Sequence, residues 1–350
     1  VGAGALGNEV LKNLALVGIG QTLVIDMDQI EAANLSRSVL FRDSDAGLPK
    51  AEVAAVRARE LNPHALVIPV HGDVTTDVGL GVFAEADLVI GCLDNREARL
   101  WVNRMCWRVG TPWVDAGIQE IQGVVKVFVP PDSACYECAM TSRDFELLNL
   151  RYSCPLLRRD EILAGKVPTA PTIASMMAAL EVQEALKILH RLPVEGGVAH
   201  VYNGVGNQFY TTRLPRREDC LSHETYPPAV RAPLRSSDAA TALFDFARQK
   251  LEGPLSIALD RELVTSIEWP QSGKNVEIKR VRSKVLHRET IDESGRPGIP
   301  VQTSMIEESS PLAAAALAEL GIPPYDIVRV ESPSGSLFVQ LDAERDRFFS

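Results

Sequence analysis

Gly2, Gly4 and Gly7 form a G-x-G-x-x-G run after a short apolar stub and before a helical pattern, and Asp26 lies nineteen residues past Gly7 at the end of the next strand-like run. Glycines at this spacing let backbone amides approach a phosphate, a helix N-terminus favours the anion, and a carboxylate at the neighbouring strand end can bond ribose hydroxyls. Alone, the run fits NAD, FAD or ATP equally, or a packing turn between strand and helix. Asn34, Arg37 and Lys50 follow Asp26 closely, and Asp94-Asn95 comes just after the strand-like run Leu88 to Cys92. Two cations and a carboxylate able to hold Mg²⁺ suit a triphosphate, because they neutralise charge as a carboxylate attacks the α-phosphate and pyrophosphate departs. Hydride transfer needs no such set. Taken singly, Arg37 and Lys50 are plain surface charges and Asp94 is a helix N-cap.

A second group is made of soft ligands. Cys135-Tyr136-Glu137-Cys138 is followed, 82 residues after Cys138, by Cys220-Leu221-Ser222-His223. Two such knuckles supply four ligands, enough for one closed tetrahedral Zn²⁺ site of structural character. The alternative is a redox or packing pair of cysteines and a solvated loop histidine. Cys154 lies near Arg151, Arg158 and Arg159, which could depress the thiol pKa and prepare it to attack a bound acyl-adenylate; the plainer reading is a half-buried cysteine whose arginines face water. Cys92 and Cys106 read as small core residues.

The elements that must position these residues follow from the hydrophobic pattern. Up to about Leu192, strand-like runs at Thr22 to Ile25, Leu66 to Val70, Asp87 to Cys92, Thr111 to Val114 and Val124 to Val129 alternate with helical spacing at Glu9 to Val17, Ala51 to Leu61 and Glu97 to Val109. This alternation predicts an α/β, Rossmann-like, doubly wound and mostly parallel sheet. A charged crossover segment, 139–170, precedes a long helix from Ile173 to His190. Prolines at 227, 228 and 233 predict a linker over 227–236, which divides a first domain, 1–226, from a smaller α+β domain, 237–350. In the second domain the pattern predicts helices at Ala239 to Leu251 and Pro311 to Leu320 and a closing hairpin, Ile327 to Val330 with Leu337 to Leu341; no motif there assigns a role.

Hydrophobic residues make up 46% and charged residues 23% of the chain, as in globular proteins. The longest apolar run, near Ile173 to Leu189, is interrupted by Glu181, Gln183, Glu184 and Lys187, so no membrane span is expected. A net charge of −10 disfavours a nucleic-acid partner. Six cysteines are too few for a disulfide scaffold, and with no secretory pattern at the first residues a cytoplasmic protein is expected.

The spaced set Val24-Ile25-Asp26-Met27-Asp28, Asn34-Leu35-Ser36-Arg37, Lys50 and Asp94-Asn95 resembles the adenylation domain of the ubiquitin-activating superfamily, which includes the bacterial ThiF- and MoeB-type adenylyltransferases. The resemblance spans roughly Val1 to Thr225. It implies that Asp26 holds the ribose, Arg37 and Lys50 the phosphates and Asp94 the Mg²⁺, with Arg37 serving the partner subunit of a homodimer. It also implies structural zinc on the two knuckles, His223 replacing a cysteine, and a thioester at Cys154. The expected activity is ATP-dependent adenylation of the C-terminal carboxylate of a ubiquitin-like β-grasp protein, then thioester formation and transfer to a conjugating enzyme. The alternatives are adenylation of a sulfur-carrier protein without an enzyme thioester, a nicotinamide or flavin oxidoreductase, and an idle scaffold subunit. Ala33 and Ser38 occupy places where the family usually has Ser and Gln, which suggests a divergent branch, and the arginine-bearing helix expected ahead of the first strand is not in the sequence.

Overall fold

The computed structural model describes residues 1–145 and 170–349. These fall into two compact units, one of residues 1–75, 83–145 and 170–225, the other of 76–82 and 226–349.

In the first unit, α1 (Ala5–Val17) buries Leu6, Val10, Leu11 and Leu14 along one face and stops at Gly18, whose φ of 85° is the left-handed conformation glycine accepts at a helix end. Strands β1 (Gln21–Asp26) and β2 (Leu66–His71) pair in parallel, with α3 (Lys50–Leu61) connecting back to β2 and a short helix α2 (Ala32–Leu35) before it. After α4 (Leu80–Glu85), whose first three residues belong to the second unit, β3 (Val89–Gly91) pairs in parallel with β4 (Trp113–Gln119) across helix α5 (Arg96–Val109). The first two residues join these parts. The Val1 nitrogen donates to Ile90 O (2.7 Å), Cys92 N donates to Val1 O (2.8 Å), and Gly2 N donates to Ile25 O (2.8 Å). The stub therefore lies between β1 and β3.

The expected mostly parallel sheet is corrected here, because beyond β4 the sheet is antiparallel. Strands β4, β5 (Gln122–Phe128), β6 (Val198–Asn203) and β7 (Gln208–Arg213) follow one another as antiparallel neighbours. The cause is connection length: β4 to β5 and β6 to β7 turn within a few residues, whereas parallel neighbours need a crossover of a dozen or more. Glu120 (φ 54°) and Asn207 (φ 49°) take the left-handed turn conformations. Helix α6 (Pro171–Leu189) packs with α1 over this sheet, burying Ile173, Met177 and Val182 against Val125, Val127 and Val198; each such side chain stabilises the fold by roughly 1.5–3 kcal/mol.

In the second unit, α7 (Ala240–Ala247) covers a mixed sheet in the order β10-β9-β12-β13-β8, with β11 on the other edge of β9. Here β8 is Val230–Ala232, β9 Ser256–Trp269, β10 Lys274–Val281, β11 Ile299–Glu307, β12 Ile327–Ser332 and β13 Gly335–Leu341. The stretch read as a linker thus contains a strand, paired in parallel with β13. The helix expected over 311–320 is only a 3₁₀ turn, Pro311–Ala314, because Ala315 O accepts from Ala240 N (2.9 Å) and Ala316 bridges Ala239, which draws the chain into extended form. Residues 76–82 dock through Asp326, whose Oδ1 accepts from Leu80 N (2.6 Å) and Ile327 N (3.0 Å).

Asp326 is buried with Arg261, Nη1 to Oδ2 3.7 Å, and burial pushes its carboxyl up to about 6 from 3.8. The folded chain holds this proton more tightly than the unfolded one, so the group favours folding fully below about pH 4 and loses that contribution as pH rises through about 6. Denaturant titrations should show stability falling by about 3 kcal/mol across this window, and Asp326→Asn should flatten that component whatever it does to the midpoint.

Candidate functional site

The glycine loop is built from two glycines the fold requires and one it does not. Gly2 has φ 91°, and a Cβ there would meet Cys92 O at 2.4 Å; at Gly7 a Cβ would meet Gly2 O at 2.0 Å. Gly4 caps α1 and a Cβ there would meet nothing within 4 Å. Open space thus lies at a helix N-terminus, where amides and the helix dipole favour an anion. Fully buried Asn8 braces the loop: Nδ2 donates to Ala3 O (2.7 Å) and Gly4 O (3.0 Å), and Oδ1 accepts from Leu40 N (3.0 Å). Sequence reading missed Asn8, whose signal was an amide on the apolar face of α1.

Asp26 ends β1 beside this loop. Its Oδ2 accepts from Ala3 N (2.6 Å) and its Oδ1 from Asp28 N (2.8 Å), and burial raises its carboxyl above the usual value even though these amides and Lys50 act the other way. Lys50, buried at the start of α3, sends Nζ to Asp28 Oδ2 (2.9 Å). Asp28, quoted in the motif but given no role, is therefore the group that holds the lysine. Asn34 closes a capping box, its Oδ1 accepting from Glu31 N (2.9 Å). Arg37 Nη1 donates to Ala33 O (2.9 Å), and among the described residues it forms no hydrogen bond or ion pair with Asp26, Lys50 or Asp94. Asn95 is the N-cap of α5, accepting from Ala98 N (2.8 Å), so the capping role considered for Asp94 belongs to its neighbour; Asn95 Nδ2 also reaches Asp94 Oδ1 (3.4 Å).

Two buried carboxylates, Asp115 and Glu181, and the partly buried Arg99 were not anticipated. Arg99 donates through Nε to Asp115 Oδ1 (2.9 Å) and through Nη2 to Ala116 O (2.9 Å) and Leu93 O, tying the loop before Asp94 to β4. Burial raises the Asp115 carboxyl although Arg99 and Lys126 oppose it. Glu181, fully buried on α6, accepts from the Cys92 thiol (3.8 Å), and burial, with Asp115 nearby, pushes its carboxyl well up. Cys154, with the crossover residues 146–169, lies outside the described residues.

The four knuckle residues come together. Cys135 Sγ is 3.7 Å from Cys138 Sγ and 3.5 Å from Cys220 Sγ, Cys138 Sγ is 3.4 Å from His223 Nε2, and all four ligand atoms lie within 4.8 Å of one another. Tetrahedral zinc with Zn–S of about 2.3 Å separates its sulfurs by roughly 3.8 Å, whereas a disulfide would bring them to about 2.05 Å; all three cysteines are free. Burial raises the Cys135 and Cys220 thiols, a tendency that a bound dication reverses. Burial and Arg216 lower the His223 imidazole, keeping it neutral as a ligand requires. The ring of Trp107 stacks on His223 at 5.2 Å, and Arg217 N donates to Cys138 Sγ (3.4 Å). The donor set fits one zinc ion.

Comparison with known proteins joins these two sites in one family: residues 1–222 match the ThiF family. The chain belongs to the ThiF family. It is 28% identical over 286 residues to ubiquitin-like modifier-activating enzyme 5 of rice, covering 77% of this chain and 64% of that one. It is 41% identical over 138 residues to the SAMP-activating enzyme E1 of Haloferax volcanii, covering 39% and 51%. The crystal structure of E. coli MccB with ATP superposes with a TM-score of 0.51 at 25% identity, covering 64% of each chain. The chain thus spans less than two thirds of the length of these relatives. The ThiF match includes both the glycine loop and three of the four knuckle ligands and stops one residue before His223.

The glycines of this ThiF-family loop separate by substitution. Gly7→Ala should destabilise the protein by about 1–3 kcal/mol or more through overpacking, whereas Gly4→Ala should leave the melting temperature nearly unchanged; thermal unfolding of the two variants checks both.

Proposed function

We propose that this chain adenylates the C-terminal carboxylate of a ubiquitin-like or sulfur-carrier β-grasp protein, using ATP and Mg²⁺, and then accepts the acyl group on Cys154 for transfer to a conjugating partner. The observation that carries the reading is the setting of Asp26, with Lys50 and Asp28 beside it, against a glycine loop whose central glycine opens onto free space, within a stretch that matches the ThiF family. A nicotinamide or flavin site has no use for Lys50 there.

In this reading the loop amides and the α1 N-terminus receive phosphate, Asp26 bonds the ribose and Lys50 exchanges Asp28 for phosphate oxygen. Asp94, with Asn95, would hold Mg²⁺, which would supply charge neutralisation at the phosphates. A carboxylate oxygen of the substrate protein attacks the α-phosphorus, the bond to the β-phosphate breaks, and pyrophosphate leaves with an acyl-adenylate formed. The Cys154 thiolate then attacks the acyl carbon and AMP departs, giving a thioester. Arg37, which among the described residues forms no hydrogen bond or ion pair with Asp26, Lys50 or Asp94, suits service in the site of a second copy of the chain. A structural zinc on Cys135, Cys138, Cys220 and His223 completes the fold of the domain.

ATP–pyrophosphate exchange should depend on a β-grasp protein, and Asp94→Ala or Lys50→Ala should lower it about 100-fold or more. Cys154→Ala should keep the exchange and lose a reductant-sensitive adduct with that protein; unchanged pathway output without such an adduct would leave sulfur-carrier adenylation as the activity. Tight NAD or FAD binding with no exchange would overturn the adenylation reading.

A further inference from the structure

The two knuckles are joined by more than their ligands. Glu137 lies between Cys135 and Cys138, and Ser222 between Cys220 and His223. Both are buried, at 4% and 2% exposure, and the Ser222 hydroxyl donates to Glu137 Oε2. The same carboxylate receives Arg104 from α5, Nη2 at 3.3 Å to Oε1 and 3.2 Å to Oε2, with Nε at 3.4 Å to Oε2. Helix α5 also supplies Asn103, whose Oδ1 accepts from Tyr136 N (2.9 Å), and Trp107 against His223. A carboxylate withdrawn from water is costly unless it is paired and hydrogen-bonded. Here both needs are met by one residue of the opposite knuckle and one of the helix beneath.

We infer that Glu137, Ser222 and Arg104 form a latch that holds the two knuckles at ligating distance independently of the metal, making them positioning residues for the ion. The reason is that none of the three offers an atom to the metal set, yet their bonds close the same 85-residue separation that the metal closes. Partners outside the ligand sphere of this kind commonly govern metal affinity by about 10–100-fold. The latch rests on the zinc reading above, and its test separates the two.

Purified full chain is first assayed for zinc by elemental analysis; about one equivalent supports the metal site, and no bound metal, even after zinc addition, overturns that site and the latch with it. Zinc release to a chromogenic chelator is then timed. Ser222→Ala, a small change that leaves all four ligands and the Glu137–Arg104 pair, should speed release about 10-fold or more, with Ser222→Thr restoring the wild-type rate. Glu137→Gln should speed it too, and the double variant should add little to the larger single effect, since both break one link. Stoichiometric zinc with release from Ser222→Ala within twofold of wild type overturns the latch while leaving the zinc site intact. A metal-free readout guards the folding question: after chelation, intrinsic tryptophan fluorescence and protease resistance should persist in wild type and fall in Ser222→Ala, and equal loss in both overturns the claim that the knuckles are held without metal.

Discussion

The site depends on where the main chain of Val1-Gly2 is held. It is hydrogen-bonded to Ile25 on one side and to Ile90 and Cys92 on the other, so the glycine loop begins between two parallel strands. Asp26 is one residue past Ile25 and Asp94 two past Cys92. Neighbouring strands lie about 4.8 Å apart and each residue advances about 3.3 Å, so the ladders alone bring both carboxylates to the edge where the loop leaves the sheet. The close approach of Gly2 to Cys92 O and of Gly7 to Gly2 O then fixes α1 against that edge, and its N-terminus faces the same opening. No long-range search by side chains is needed.

Electrostatics explain why Asp28 accompanies Lys50. A desolvated ammonium without a partner is costly, and Lys50 has only 10% of its side chain exposed. Its partner Asp28 is 49% exposed, so the pair is partly screened and each bond is modest. A polyphosphate with several negative oxygens can outbid one half-solvated carboxylate, because replacing Asp28 exposes a group that water already half serves. A fully buried partner would hold the lysine far more firmly and resist that exchange.

The parts legible in the sequence were those with punctuation. Glycine spacing, Asp26 and the knuckle cysteines each carry a backbone or ligand requirement, and the first two strands and three helices follow from apolar period. The antiparallel half was not legible, because alternation in β4 to β7 does not state strand direction, and the β4–β5 turn uses Glu120 in a left-handed conformation where a glycine or asparagine would have signalled a hairpin. Buried polar residues were misread for a related reason. Glu181 and Glu184 looked like interruptions of an apolar run, yet both are buried, Glu184 beside Lys187 (2.6 Å) and Glu181 beside Cys92; only packing reveals such partners. Asn95 likewise took the cap that its neighbour Asp94 could have filled.

Helix α5 connects the two sites, and distance decides how. Its first turn follows Asp94 and is tied to β4 by Arg99, while Asn103, Arg104 and Trp107 carry the knuckles. At about 1.5 Å per residue these contacts lie roughly 14–20 Å along the axis from Asp94, beyond the Debye length of about 8–10 Å at physiological salt. The charge of a metal ion in the knuckles would therefore contribute little to an anion bound at the glycine loop. What it can transmit is rigidity: a helix pinned along its second half and braced near its start by Arg99, partly buried, on the buried Asp115 leaves Asp94 little freedom to turn away. On this reasoning the proposed metal site and the proposed nucleotide site would be coupled mechanically, through one helix, and the soft ligands would need no part in the chemistry.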